Sequence, residues 1–295
     1  MKRKNKLSYG VISVLICIVV ALFFAPELSV DTGTTQHPDS AITEGVLKVH
    51  YIDVGQGDSI FIQLPNGETA LIDAGEQAFG KTVCSYIRAQ GEDTIDYLIG
   101  THPHSDHIGG METVIEGFSV HKLYLPDKSH ATKVFTNMIR AAKEKNIPTM
   151  QAKAGVVMLK TDDIELKFLS PVSKDYEEIN DYSAVLSLIY KENSFLFMGD
   201  ATYTVEKQLT ETISHYDVLK VGHHGSNTSS TANFLKRVTP EYVVISCGRG
   251  NDYGHPHKQV VNRLERFYST IYRTDLQGHI VATADGAQIT FETER

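Results

Sequence analysis

Past residue 45, three strand-length runs of apolar and β-branched positions come first: Val46 to Val54, Asp58 to Leu64 and Thr69 to Asp73. The turns Gly55-Gln56-Gly57 and Pro65-Asn66-Gly67 separate them, which predicts an antiparallel meander. A helix-like stretch from Gly80 to Gln90 leads into a strand at Ile95 to Gly100. The next strand is expected at His121 to Leu125. It is followed by a helix over Ala131 to Lys145 with Val134, Met138 and Ala142 on one face, then by strands at Val156 to Lys160 and Ile164 to Leu169. The pattern then repeats in outline: strands at Tyr182 to Tyr190 and Ser194 to Met198, a helix over Tyr203 to Ile213, and a strand at Val218 to Val221. Thr231 to Val238, Tyr242 to Ser246, Lys258 to Phe267 and a closing hairpin over Gly278 to Phe291 complete the chain. Two comparable halves of strands and helices predict two packed sheets with helices outside.

The first 45 residues follow a different pattern. Lys2, Arg3, Lys4 and Lys6 precede Leu7 to Ala25, a run of 19 residues that is apolar except for Ser8, Tyr9, Gly10 and Ser13. Residues 1–25 are therefore expected to be a signal peptide or a membrane anchor. The basic flank keeps the amino terminus in the cytoplasm, and Phe23-Phe24-Ala25-Pro26 is a poor cleavage site, which favours the anchor. Residues 26–45, rich in Pro, Asp, Ser, Thr and Gly, read as a tether, leaving a folded domain over 46–295 outside the cytoplasm.

Composition changes this picture in two ways. A net charge of -8 excludes a general polyanion-binding surface, because nonspecific nucleic-acid binding rests on Lys and Arg. A phosphate-bearing substrate would need a local cationic site, which bound metal ions can be. Cys17, Cys84 and Cys247 are widely spaced and form no motif, so neither a thiolate zinc site nor a disulfide framework is expected. Cys84 and Cys247 are expected to be buried free thiols in preference to one bridge.

The candidate chemistry is concentrated in histidine. Seven of the 13 histidines fall in three clusters: His102-Pro103-His104-Ser105-Asp106-His107, His223-His224, and His255-Pro256-His257. Pro103 biases His102 towards an extended backbone, where residues two apart face the same way, so His102 and His104 can converge on one ion. Asp106 and His107, at the turn into a helix, can reach a second position. Asp200 ends the apolar strand Phe195 to Met198 and is either a helix cap or a metal-bridging carboxylate; beside so many histidines the second is the better reading. Imidazole and carboxylate without thiolate suit Zn2+, Mn2+ or Fe.

Six motifs in order carry a family resemblance. They are Tyr51-Ile52-Asp53-Val54-Gly55-Gln56-Gly57-Asp58-Ser59, Leu71-Ile72-Asp73-Ala74-Gly75, the stretch His102 to Gly110, Phe197-Met198-Gly199-Asp200, Leu219-Lys220-Val221-Gly222-His223-His224-Gly225-Ser226, and Tyr253-Gly254-His255-Pro256-His257. The chain resembles metallo-β-lactamase superfamily hydrolases, and more closely the hydrolase domain of ComEC-type DNA-uptake proteins. With no channel-forming region among these motifs, the resemblance implies the hydrolase chemistry and not import.

The resemblance implies an α/β fold, the αβ/βα four-layer sandwich, with two divalent metal ions, Zn2+ or Mn2+. His102 and His104 would hold the first, Asp106 and His107 the second, Asp200 would bridge them and His224 would complete the second ion's ligands, chosen over His223 because Gly225 follows it. Asp73 would support the histidine loop. Many members add a histidine to the first ion ahead of the Asp200 strand; here Asn180-Asp181-Tyr182-Ser183 stands there, so that ion is expected to be weakly held, to take Asp181 or Asn180, or to be lost. The implied reaction is attack of an activated water on a phosphodiester, with Asp106 or Asp200 orienting it. His223, His255 or His257 would donate a proton, bind phosphate or support the shell. Ser226, Asn227 and Thr228 would hydrogen-bond phosphate or cap their turn, and Lys220 is expected to be structural. The expected function is an extracytoplasmic phosphodiesterase, with DNA as one substrate and the membrane as a partner through residues 1–25. The alternatives are an esterase for phosphorylcholine or another envelope phosphoester, and a binding module of a DNA-uptake system. β-Lactam hydrolysis is disfavoured because the resemblance is to another branch.

Overall fold

The computed structural model describes residues 45–267 and 269–295. The apolar segment Leu7 to Ala25, and the tether up to residue 44, lie outside the described residues. Among the described residues no helix is long and apolar enough to cross a membrane.

The chain opens with β1 (Leu47–Tyr51), β2 (Ile60–Gln63) and β3 (Thr69–Ile72), paired antiparallel as the turn residues predict. Helix α1 (Gly80–Ala89) carries the chain over to β4 (Thr94–Ile99), which runs parallel to β3. Two short helices, α2 (Ser105–Ile108) and α3 (Met111–Gly117), precede β5 (Ser119–Leu125), and α4 (Lys133–Glu144) precedes β6 (Thr149–Gln151).

The second half mirrors this plan. Strands β7 (Val157–Lys160), β8 (Ile164–Phe168), β9 (Leu186–Tyr190) and β10 (Asn193–Phe197) pair antiparallel. Helix α5 (Tyr203–Thr210) then leads to β11 (Val218–Lys220), α6 (Ala232–Val238) to β12 (Tyr242–Ile245), and α7 (Lys258–Arg266) to β13 (Thr270–Arg273), with β10 to β13 parallel. After the one-turn α8 (Thr274–Gln277), the hairpin β14 (Ile280–Ala284) and β15 (Ile289–Thr293) returns to the first sheet beside β1.

The result is an eight-stranded sheet facing a seven-stranded one. Alternation along the strands separates the layers. Leu47, Val49, Tyr51, Ile60 and Ile62 from the first sheet meet Leu186, Leu188, Phe195 and Phe197 from the second in one shared core. Their neighbours Phe61 and Leu71 turn outward to α1, α3 and α4, and Leu196 and Val243 turn outward to α5, α6 and α7. This is the expected four-layer sandwich. Cys84 and Cys247 are free and buried, as anticipated.

Several boundaries differ from the sequence reading. The strand expected from Tyr182 starts only at Leu186, because residues 179–182 form a 3-10 turn. The strands β6 and β13, of three and four residues, were too short to stand out.

One buried group gives the fold a pH signature. His50, on β1, is buried between the Tyr86 hydroxyl at 3.0 Å and the Gln63 Oε1 at 3.1 Å, and burial, aided by Lys48, pushes its pKa down to about 4. The unfolded chain therefore binds a proton that the folded one refuses between about pH 6.5 and 4, and stability falls as pH drops through that window. His50→Gln is expected to remove up to about 3 kcal/mol of that fall. Urea titrations of both proteins between those pH values would show it as a flatter profile for the variant; parallel profiles would refute it.

Candidate metal centre

The candidate residues come from loops at the carboxyl ends of parallel strands: Asp73 after β3, Thr101 to His107 after β4, Asp200 after β10, His223 and His224 after β11. Asp73, His223 and His224 all have positive φ, at 58°, 48° and 52°. Non-glycine residues adopt that region rarely and at a cost, and such strain gathers where side chains must be aimed.

Each imidazole is oriented by a contact on one nitrogen that frees the other. His107 donates Nδ1–H to Asp73 Oδ2 at 2.7 Å, and Asp73 also accepts from the Thr101 N–H at 2.8 Å and hydroxyl at 2.6 Å. His224 donates Nδ1–H to the Ser246 carbonyl at 3.0 Å. Their Nε2 atoms then converge: His107 Nε2 lies 3.2 Å from Asp200 Oδ1, and His224 Nε2 lies 3.4 Å from that oxygen and 3.3 Å from Asp106 Oδ2. His102 Nε2 faces His104 Nδ1 at 3.0 Å and Asp200 Oδ2 at 3.8 Å. Asp200 is thus shared by two groups, Asp106, His107, Asp200 and His224, and His102, His104 and Asp200. The helix cap considered for Asp200 is supplied by Thr202, whose hydroxyl accepts the Thr204 N–H.

These groups fit divalent cations. His107 Nε2, His224 Nε2 and Asp200 Oδ1 are buried with no hydrogen-bond partner, an arrangement costing several kcal/mol unless something positive sits between them. Burial opposes charge on His107 and His224, yet the carboxylates, Asp200 foremost, raise both pKa values well above the ordinary histidine range. The pocket's field therefore favours positive charge. His102, by contrast, is held well below that range by burial and by His107, and stays neutral.

The surrounding loops fix this geometry. Asp58 donates its backbone N–H to the Asp106 carbonyl at 3.2 Å, and Gly57, at φ 137°, has to be glycine because a β-carbon would collide with that carbonyl. Lys220, 0% exposed, puts Nζ 2.7 Å from Asp58 Oδ2, and Asp58 Oδ1 lies 3.4 Å from His224 Nδ1. Burial would push the Asp58 carboxyl up, but Lys220 and His224 hold it below the usual carboxylate range.

The remaining candidates divide. His223 stays outside both groups, 23% exposed, with Nδ1 2.9 Å from the Thr228 hydroxyl and Nε2 3.7 Å from Asp200 Oδ2. His255 packs edge-on against it, ring centroids 5.6 Å apart. Asp181 does not join either group: its Oδ1 accepts the Thr202 N–H at 3.1 Å and hydroxyl at 2.6 Å, a tie to the start of α5. Ser226 is buried, and its Oγ accepts the Thr228 N–H at 3.4 Å, which caps the turn. His257 Nδ1 accepts the Asn227 N–H at 3.1 Å and so anchors that turn, while the Asn227 side chain is exposed. The Ser246 carbonyl and the Lys220–Asp58 pair were missed from sequence, and no local signal marks either.

Residues 52–249 match the profile of the Metallo-beta-lactamase superfamily. The chain is 31% identical to ComE operon protein 3 of Bacillus subtilis over 94% of its own length and 36% of that protein's. It is 30% identical to Competence protein ComA of Neisseria gonorrhoeae over 83% of its length and 33% of that protein's. It therefore spans about a third of the length of the curated relatives it matches. Among solved structures, CmlA, a diiron β-hydroxylase from Streptomyces venezuelae, superposes with a TM-score of 0.56 at 15% identity, over 84% of this chain and 55% of that one. At that identity the likeness is one of fold.

Proposed function

The chain belongs to the metallo-β-lactamase superfamily, and from that premise we propose that it is an extracytoplasmic metal-dependent phosphodiesterase acting on DNA. One observation carries this reading: the buried, unpartnered Nε2 atoms of His107 and His224 meet Asp200 Oδ1 in a site that Asp200 shares with His102 and His104. Asp106, His107, Asp200 and His224 would hold one ion, and His102, His104 and Asp200 the other. Zn2+ and Mn2+ both suit these donors. Divalent ions held there supply Lewis-acid charge to phosphoryl oxygens and make water nucleophilic near neutral pH.

The protein's own groups do the rest. Asp106, whose side chain is a quarter exposed, is the carboxylate that an attacking water can reach and be oriented by. Burial lowers the pKa of His223, so its ring works as a neutral hydrogen-bond donor to a phosphoryl oxygen, steadied by Thr228. The competence name of a relative supports DNA over an envelope phosphoester.

The test compares bis-p-nitrophenyl phosphate, single-stranded DNA, duplex DNA, a phosphorylcholine ester and a β-lactam. Turnover of the diester and of DNA is expected. A chelator should lower it by about a hundredfold or more, and added Mn2+ or Zn2+ should restore it. Hydrolysis confined to the choline ester or the β-lactam would overturn the reading, and failure to retain any metal would favour a binding module instead.

A further inference from the structure

Among the described residues, four buried imidazole nitrogens have no hydrogen-bond partner: Nε2 of His107 and of His224, and Nδ1 of His130 and of His255. The first two belong to the group around Asp106, and His255 stands on the same side, its ring 6.2 Å from that of His224. His130 stands on the other side. Its ring lies edge-on to that of His104, with 6.4 Å between centroids and 79° between planes.

Topology puts it there. Strand β5 runs parallel to β4, so the loop after β5 leaves the sheet at the same end as the loop that carries His102 to His107. That loop, residues 126–132, has no regular structure and is held on both flanks of His130. Lys128 Nζ sits 4.4 Å over the Tyr182 ring, and the Thr132 hydroxyl accepts the Phe135 N–H to cap α4. His130 is partly buried between these anchors, with Nδ1 shut off from water. A ring nitrogen left in that condition costs stability unless a polar or positive partner meets it.

The two groups are also unequal. Asp106, His107, Asp200 and His224 make four donors, whereas His102, His104 and Asp200 make three, of which Asp200 is shared. Asp181 adds nothing to the smaller group, because Thr202 engages it twice. A neutral imidazole is the donor that such a site lacks.

We infer that His130 is the third imidazole of the ion held by His102 and His104, reaching it from the loop after β5. It stands just outside that group, and a small inward shift of its loop brings its ring to the 4.7 Å spacing that His102 and His104 already show. This rests on the metal-dependent reading and completes the smaller of its two sites.

The test is equilibrium dialysis against Mn2+ or Zn2+ with the bound metal counted by elemental analysis, which reads each site without recourse to activity. The protein is expected to take up two ions, one for each group. His130→Ala should keep one at full affinity and weaken the other about tenfold or more. His130→Phe, which keeps a ring edge-on to His104 and offers no nitrogen, should weaken it as much. Full affinity for both ions in His130→Ala would overturn the inference, and so would full affinity in His130→Phe, which would assign the ring to packing. Uptake of a single ion that neither variant alters would overturn it as well. Each of these results leaves the metal-dependent reading standing, whereas a protein that takes up no metal removes both.

Discussion

Asp200→Ala is expected to strip metal from both groups at once and to cut diester turnover by about a thousandfold or more, with the fold retained. The reason is its position between them. Oδ1 faces His107 Nε2 at 3.2 Å and His224 Nε2 at 3.4 Å, while Oδ2 lies towards His102 Nε2 at 3.8 Å. Removing the carboxylate leaves His102 and His104 on one side, and Asp106, His107 and His224 with a single carboxylate on the other. His104→Ala is the informative comparison, because His104 belongs to one group only and is partly buried. It should release metal from one group and spare the other. Elemental analysis of both variants after dialysis, beside circular dichroism, checks this. Full metal retention by Asp200→Ala would mean that the ions do not share it.

Lys220→Met should cost about 3 to 5 kcal/mol of stability, the range for breaking a buried ion pair, and lower the melting temperature by roughly 10 °C or more. The Coulombic gain alone would not justify so large a figure. The penalty comes from what remains: Asp58, buried on the far side of a 2.7 Å contact, with Oδ1 already unpartnered. Neutralising it as well, in Asp58→Asn with Lys220→Met, should recover more than half of the loss. A double-mutant cycle read by thermal unfolding measures this coupling, and additive losses would show that the two side chains do not depend on each other. Because Asp58 also faces His224, the single variant should hold metal more weakly than the double.

What the sequence made legible, and what it hid, follows from the range of the interactions. The His102 to His107 stretch packs four potential ligands into six residues after an apolar strand, and Asp200 and the His223-His224 pair follow strands, so local pattern pointed at these places, while the choice of His224 over His223 came from the family resemblance. The four-layer order was equally local, because alternation at Leu47, Val49 and Tyr51 against Phe61 and Leu71 separates inner from outer faces. Lys220 and Asp58 gave no such signal. Lys220 reads as structural, but nothing local names its partner, and only the meeting of the two sheets brings it to Asp58. Asp181 is hard to place from sequence for a related reason: a carboxylate beside a metal loop looks like a ligand, and only the fold brings Thr202, on the next loop, to donate to it twice. The family match and the competence relatives agree with the resemblance carried by the motifs, while the CmlA likeness, at 15% identity, is one of fold.

The return of β14 to lie against β1 dictates an order of assembly. From Leu47 paired with Ala284 to Tyr51 paired with Ile280, the first of the described strands waits for the hairpin near the other end of the fold. Until that hairpin arrives, β1 offers a bare row of amides and carbonyls along one edge, a template to which a like strand from another chain can anneal. A clipped product lacking the hairpin is therefore expected to seed aggregation rather than to fold as a smaller domain.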